Sequence, residues 1–279
     1  IVIDTNERRF LDMRLPKTQA YLEERVVSLL RDYGFAYVKI DYNDCIGVGC
    51  DGAESLGEGL RQNMEASQAF FRHLREAVPG LCMENCSSGG HRLEPSLMGL
   101  FDMASFSDAH ECIEIPIIAA NLQRMILPAQ SQIWAVLHDT DSLRRLNYSL
   151  VNTLLGVMCL SGDIYSLNAE QWALVERAIA FYRDARGIIL HGVSEFHENR
   201  GESWRHPQGW QAVCRTGPDG VLVTIHTFGG ELPDSISLPV RASHVREVLC
   251  TEGNDLSLFN GTLTVRLKAN FEAVAVLLR

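Results

Sequence analysis

Two carboxylates at the ends of apolar segments are the residues best suited to chemistry in this chain. The first is Asp41, in Tyr37-Val-Lys-Ile-Asp-Tyr-Asn43. In a strand, period-2 alternation turns Lys39, Asp41 and Asn43 to one face and Val38 and Ile40 to the other. A lysine beside a carboxylate favours its ionised form, which is the form a glycosidase nucleophile requires. Capping of the following loop is the plain structural alternative for Asp41 and Asn43. The second is Asp108, in Ala104-Ser-Phe-Ser-Asp-Ala-His-Glu111. There Asp108, His110 and Glu111 offer either an acid with substrate contacts or a set of metal ligands. A metal would need further histidines, and His138, His191 and His197 are the others in plausible loops. No metal and no cofactor are expected.

Between these two lies Met83-Glu-Asn-Cys-Ser-Ser-Gly-Gly-His-Arg92. Small residues and open backbone amides after a strand suit close approach by a polyhydroxylated ligand. The alternatives are an ordinary βα turn around a buried thiol, or a Cys86 nucleophile served by His91. His91 lies five residues from Cys86, across two glycines, and has no orienting partner in the sequence, which argues against the nucleophile. Gly47-Val-Gly49-Cys-Asp-Gly52 is a literal G-x-G-x-x-G. A dinucleotide fingerprint needs a strand running into the first glycine and a helix opening at the third. Asp41-Tyr-Asn-Asp44 intervenes before it, and Gly57 and Gly59 delay the helix to about Leu60, so a Gly-rich loop beside an active site is the better account.

These groups need elements to position them. Apolar runs at Arg9–Met13, Ala36–Asp41, Leu81–Cys86, Met103–Ser107, Gln132–Val136 and Val157–Ser161 read as strands. Helical stripes alternate with them: Leu22, Val26, Leu29 and Leu30 after Pro16 and before Gly34; Leu60, Met64, Ser67, Phe71, Leu74 and Val78; and Trp172, Val175, Ile179 and Tyr182 behind Asn168 as N-cap. Strand-helix repetition predicts parallel strands with right-handed crossovers. The pattern changes near residue 188. Strands at Trp210–Thr216, Val221–Thr227, Ser235–Leu238, Val245–Leu249, Leu263–Leu267 and Glu272–Leu277, with an Asn260-Gly261 hairpin signal, predict an antiparallel domain. Gly192–Pro207 reads as the connection and first loop. The expected domains are 1–187, a catalytic (β/α) barrel, and 188–279, an antiparallel β-sandwich.

The 279 residues are 46% hydrophobic and 22% charged, which suits a globular protein with an ample core. A net charge of −10 is the wrong sign for holding a phosphate backbone, so nucleic acid is excluded as a partner. No apolar run approaches the roughly 20 residues of a membrane span, and no signal segment opens the chain. The eight cysteines, scattered and without C-x-x-C pairs, read as a reduced set in a cytoplasmic protein.

Taken together, the three polar constellations resemble the retaining α-galactosidases of glycoside hydrolase family 36. The family's K-W-D-M-N is similar to Lys39-Ile-Asp-Tyr-Asn43. Its E-x-C-S-S-G-G-x-R is similar to Glu84-Asn-Cys-Ser-Ser-Gly-Gly-His-Arg92, the most specific match, and its S-D-N-T-D-A is half present as Ser107-Asp-Ala-His-Glu111. The resemblance covers most of residues 9–190 and includes a β-domain after the barrel. It implies an (β/α)8 TIM barrel in which Asp41 is the nucleophile and Asp108 the general acid/base. It implies that Lys39, Cys86 and Gly89 contact galactosyl hydroxyls, with Asn43 beside them, Arg92 shaping the Cys-Ser-Ser-Gly-Gly loop, and His110 on the leaving-group side. The implied partner is an oligosaccharide with a terminal α-galactosyl group, and a homo-oligomer is expected at full length. The alternatives are N-acetylgalactosaminidase or galactosyl transfer at the same site, or a non-catalytic carbohydrate-binding relative. Residues 1–187 hold about six strands of the eight that a barrel needs. The barrel is therefore expected to be incomplete, the N-terminal part to be missing, and the chain by itself to be poorly stable and inactive.

Overall fold

A computed structural model describes residues 2–4, 9–87, 89–106, 112–201, 205–251, 253 and 255–279. They fall into two compact units, Ile1–Ala104 and Ser105–Arg279.

The first unit opens with strands β1 (Val2–Asp4) and β2 (Arg9–Leu11), which pair antiparallel. A four-residue connection is too short for the crossover that parallel strands need, so the first expected strand forms a hairpin instead. One continuous helix follows: α1 (Pro16–Leu22), a π-helical turn (Glu23–Val27) and α2 (Ser28–Asp32). Pro16 occupies its first turn, and Gly34 ends it at φ +69°. Then come β3 (Tyr37–Asp41), α3 (Leu56–Ala77), β4 (Cys82–Cys86), the short α4 (Pro95–Met98) and β5 (Met103–Ser105). Strand β4 is parallel to β3 and to β5. Val38 and Ile40 pack against a core of Val27, Leu30, Phe70, Phe71, Leu74 and Met83.

Helix α3 starts at Leu56, not near Leu60, because Ser55 accepts the backbone N–H of Glu58 as its N-cap. Gly57 and Gly59 lie inside the first turn. At Gly59 a Cβ would meet the Cys50 carbonyl oxygen at 2.0 Å, so the glycine is what allows the loop to lie against the helix. The buried face keeps Phe71, Leu74 and Val78 of the expected stripe but departs from it near the start of the helix. Met64 is exposed, and Asn63 takes its place, accepting the backbone N–H of Met13 at 2.8 Å.

The second unit contains α5 (Ile115–Leu122), β6 (Ser131–Leu137), α6 (Leu143–Thr153), β7 (Val157–Gly162) and α7 (Ala169–His191), with β6 and β7 parallel. Asn168 caps α7 through a reciprocal capping box with Gln171. The core face of α7 is Leu174, Val175, Ala178, Phe181, Ala185, Ile188 and Ile189, whereas Trp172 stays partly exposed.

After α7 the chain is antiparallel. Strands β8 (Val193–Arg200), β9 (Gly209–Gly217), β10 (Gly220–Thr227), β11 (Ile236–Pro239), β12 (Val245–Leu249), β13 (Asp255–Phe259), β14 (Thr262–Arg266) and β15 (Ala273–Leu278) form two sheets, ordered β12-β15-β10-β9-β8 and β11-β14-β13. Strand β8 occupies half of the stretch expected to be a loop; its residues are mainly polar because it is a sheet edge with partly exposed side chains. Strand β15 is apolar throughout because both of its faces are covered. Ala273, Ala275 and Leu277 join the core under α6 and α7, while Val274, Val276 and Leu278 join the core against the three-stranded sheet. Asn260 at φ 47° and Gly261 at φ 71° turn β13 into β14, as the Asn-Gly pair predicts. Among the described residues no helix is long and apolar enough to cross a membrane.

Candidate active site

The site belongs to the first unit and is built where β3 and β4 end. The parallel register sets Lys39 beside Glu84 and Asp41 beside Cys86. Because Val38 and Ile40 are drawn into the core, the alternating positions Lys39 and Asp41 turn away from it. Lys39 is partly buried, and its Nζ lies 3.6 Å from Glu84 Oε1. Glu84 is only 1% exposed, and its other oxygen accepts the Tyr37 hydroxyl. Lys39 also hydrogen-bonds the Cys86 side chain. Burial alone would lower the Lys39 pKa, but the carboxylate of Glu84, with smaller contributions from Cys86 and Asp41, outweighs it and leaves the ammonium above its ordinary value. Asp41 and Asn43 are exposed and Cys86 is buried, so a carboxylate and an amide face solvent at this end of the strands, with the thiol covered beside Asp41.

The loop after β4 is held to the loop after β3 by the side chains of Arg92 and Ser87. Arg92 donates to the Tyr42 carbonyl at 2.8 Å, to the Asp44 carbonyl at 3.0 Å and to Ser87 Oγ, which itself donates to the Tyr42 carbonyl at 2.7 Å. Its guanidinium lies over the Tyr42 ring, 3.4 Å from the centroid. Desolvation lowers the Arg92 pKa and raises that of Tyr42, as expected for a stacked pair withdrawn from water. Asn85 completes the frame from below by donating to the Arg92 carbonyl. Gly89 and Gly90 take φ +67° and +142°, which lets the chain turn at once after Ser87 and leaves Gly89 partly open. The bonds described for Arg92 thus go to the protein, where they fix the shape of the loop.

A second clamp orders the Gly-rich loop that carries Gly47, Gly49 and Gly52. Arg14 grips Asp12 with two side-chain bonds of 2.8 Å and reaches the Asp51 carbonyl at 2.7 Å. Its hydrogen bonds hold the Asp12 carboxyl below the usual range, against a smaller opposing effect of burial. The three glycines have positive φ, β3 ends six residues before the first of them, and α3 opens after the third. That geometry is a turn-rich loop and not a dinucleotide cradle.

Lys39, Asp41, Asn43, Cys86, Gly89 and Arg92 are therefore gathered at the ends of two adjacent strands. Asp108 and His110 lie outside the described residues. Sequence reasoning missed Glu84, Tyr37 and the Asp12–Arg14 clamp. The signal for Glu84 was present in the strand alternation, since it stands two residues before Cys86 as Lys39 stands two before Asp41. Among the described residues no group of three or more His, Cys, Asp or Glu side chains could hold a metal ion.

Parallel strands joined by helices, with polar groups collected past their C-terminal ends and antiparallel sheets following, define part of a β/α-barrel enzyme with an appended β-domain. The Melibiase family model matches residues 3–192, and the chain belongs to that family. It is 24% identical over 234 residues to a probable α-galactosidase C of Aspergillus terreus, covering 80% of this chain and 29% of the relative. It is 24% identical over 190 residues to an α-galactosidase of Escherichia coli, covering 66% and 26%. Among solved structures, the family 36 α-galactosidase AgaA of Geobacillus stearothermophilus, as a variant bound to 1-deoxygalactonojirimycin, superposes with a TM-score of 0.76 at 16% identity. That match covers 100% of this chain and 41% of AgaA. The α-galactosidase of Lactobacillus brevis superposes with a TM-score of 0.73 at 16% identity, covering 99% and 41%. The chain thus has the fold of part of a family 36 barrel plus its β-domain, and spans under half the length of these relatives.

Proposed function

We propose that the protein carrying this chain is a retaining glycoside hydrolase that removes terminal α-linked galactose from oligosaccharides. In this reading Asp41 attacks the anomeric carbon to form a glycosyl-enzyme, and Asp108 first protonates the departing oxygen and then deprotonates the water that releases the sugar. Lys39, Asn43, Cys86 and the Gly89 backbone hold galactosyl hydroxyls, Arg92 keeps their loop in shape, and His110 faces the leaving group. No cofactor is needed. Residues 1–187 would belong to the catalytic barrel and 188–279 to the β-sandwich, in a cytoplasmic homo-oligomer.

The observation that carries the reading is the register of β3 and β4. It puts a carboxylate and a thiol side by side at the strand ends, with a lysine paired to a buried glutamate one step behind them. The relatives' names point the same way, and an AgaA variant has been solved with raffinose. A chromogenic aryl α-galactoside tests the proposal in the full-length protein. Turnover with initial release of α-galactose supports it; release of β-galactose, or sugar binding without turnover, overturns it.

A further inference from the structure

We propose that Glu84 is a positioning residue for Lys39, fixing its ammonium on the β3 face that carries Asp41 and balancing its charge there, so that Lys39 meets the sugar as a pre-aimed hydrogen-bond donor. This goes beyond the assignment of Lys39 as a sugar contact and rests on the reading of the site given above.

A carboxylate that is 1% exposed must be paired and hydrogen-bonded to be tolerated. Glu84 meets both needs: Oε1 faces Lys39 Nζ, and Oε2 receives the Tyr37 hydroxyl. Both partners lie on β3 and alternate with Val38, so one carboxylate on β4 takes the two polar side chains that flank a core residue. The bond from Tyr37 fixes the carboxyl, and the carboxyl in turn fixes the lysine. The titratable groups facing Lys39 are Glu84, Cys86 and Asp41. Of the two carboxylates, Glu84 is the buried one, whereas Asp41 is exposed at the strand end. Without Glu84 a partly buried ammonium would have Asp41 as its nearest carboxylate. It would then swing toward the nucleophile, or give up its proton to escape the cost of burial.

Consistent with this, Glu84 is the largest influence raising the Lys39 pKa against burial. Glu84→Gln keeps the shape of the side chain and a hydrogen-bonding partner for Tyr37, and removes only the charge. In the full-length protein it is expected to raise KM for an aryl α-galactoside about tenfold, with a smaller change in kcat. Tyr37→Phe breaks the other Glu84 bond but keeps the charge pair, and should leave the Lys39 titration where it is, which separates the effect of the Glu84 charge from loosened packing.

A second readout does not depend on turnover. Lysines labelled by reductive methylation with carbon-13 report the Lys39 titration by NMR, assigned by the signal lost in Lys39→Arg. The titration should move down in Glu84→Gln. If Glu84→Gln does not fold, Glu84→Asp, which withdraws the carboxylate by one methylene, should give a smaller move in the same direction. A wild-type protein that turns over no α-galactoside would sink the functional reading and leave Glu84 to be judged by the NMR titration alone. A Lys39 titration unchanged in a folded Glu84→Gln or Glu84→Asp protein overturns the proposal.

Discussion

Acidification should destabilise the second unit through a single imidazole. His226 lies on β10, is 0% exposed, and packs edge-on against the Tyr148 ring of α6 with centroids 5.1 Å apart. Neither ring nitrogen has a hydrogen-bond partner among the described residues, so there is nothing to stabilise a protonated ring. Burial pushes its pKa down from 6.5 to about 3. The folded state therefore keeps the neutral ring while the unfolded chain takes up a proton below pH 6.5. The full stability is present above that pH and is lost as pH falls toward the folded value. Each pH unit in this window removes about 1.4 kcal/mol, so the loss reaches about 3 kcal/mol at pH 4 and at most about 5 kcal/mol at pH 3. A domain at the low end of the usual range of about 5–15 kcal/mol would be close to unfolding from this group alone. Urea denaturation of the wild type and of His226→Phe at a series of pH values measures the effect. The phenyl ring keeps the contact with Tyr148 but cannot titrate, so its stability should fall less steeply between pH 6.5 and 4, by about 3 kcal/mol over that range. Parallel curves for the two proteins would refute the reasoning.

Three further outcomes follow from local geometry. Gly59→Ala should cost about 2 kcal/mol in a denaturant melt, because the clash of its Cβ with the Cys50 carbonyl outweighs the roughly 1 kcal/mol that alanine gains in a helix. Arg92→Lys keeps the charge but loses the fork that spans two carbonyls and the stack on Tyr42; hydrogen exchange in residues 42–44 and 87–92 should quicken, with stability falling by about 1–3 kcal/mol. Asn168→Ala removes the capping box of α7 and should lower stability by about 1 kcal/mol, read from the denaturation midpoint.

What could be read from the sequence was whatever depends on neighbours along the chain. The alternation in Tyr37–Asn43 placed Lys39 and Asp41 away from the core, and β3 has that arrangement. Asn168 before a helix and Asn260-Gly261 between strands are local chemistry, and both do what their types dictate. What escaped depends on partners distant in sequence. Glu84 becomes a partner of Lys39 only once the register of β3 and β4 is set, and Arg92 reaches Tyr42 across 50 positions. The faces of α3 and α7 are legible in part: Phe71, Leu74 and Val78, and Val175, Ile179 and Tyr182, lie on the core side, while Met64 and Trp172 do not, because apolar spacing fits two adjacent rotations. In α3 it took the bond from Met13 to Asn63 to choose between them, a polar contact that no hydrophobic pattern records. Strand β8 gives no strand signal in the sequence because an edge strand has few apolar residues.

The central claim is that Asp41 is the nucleophile of a retaining α-galactosidase, and azide rescue of Asp41→Ala in the full-length protein tests it most directly. The variant should lose about ten-thousandfold or more in kcat toward an aryl α-galactoside with a good leaving group. Added azide should restore turnover by attacking from the face that the aspartate has vacated, giving β-galactosyl azide. An α-galactosyl azide product, or an Asp41→Ala protein as active as the wild type, would contradict the account.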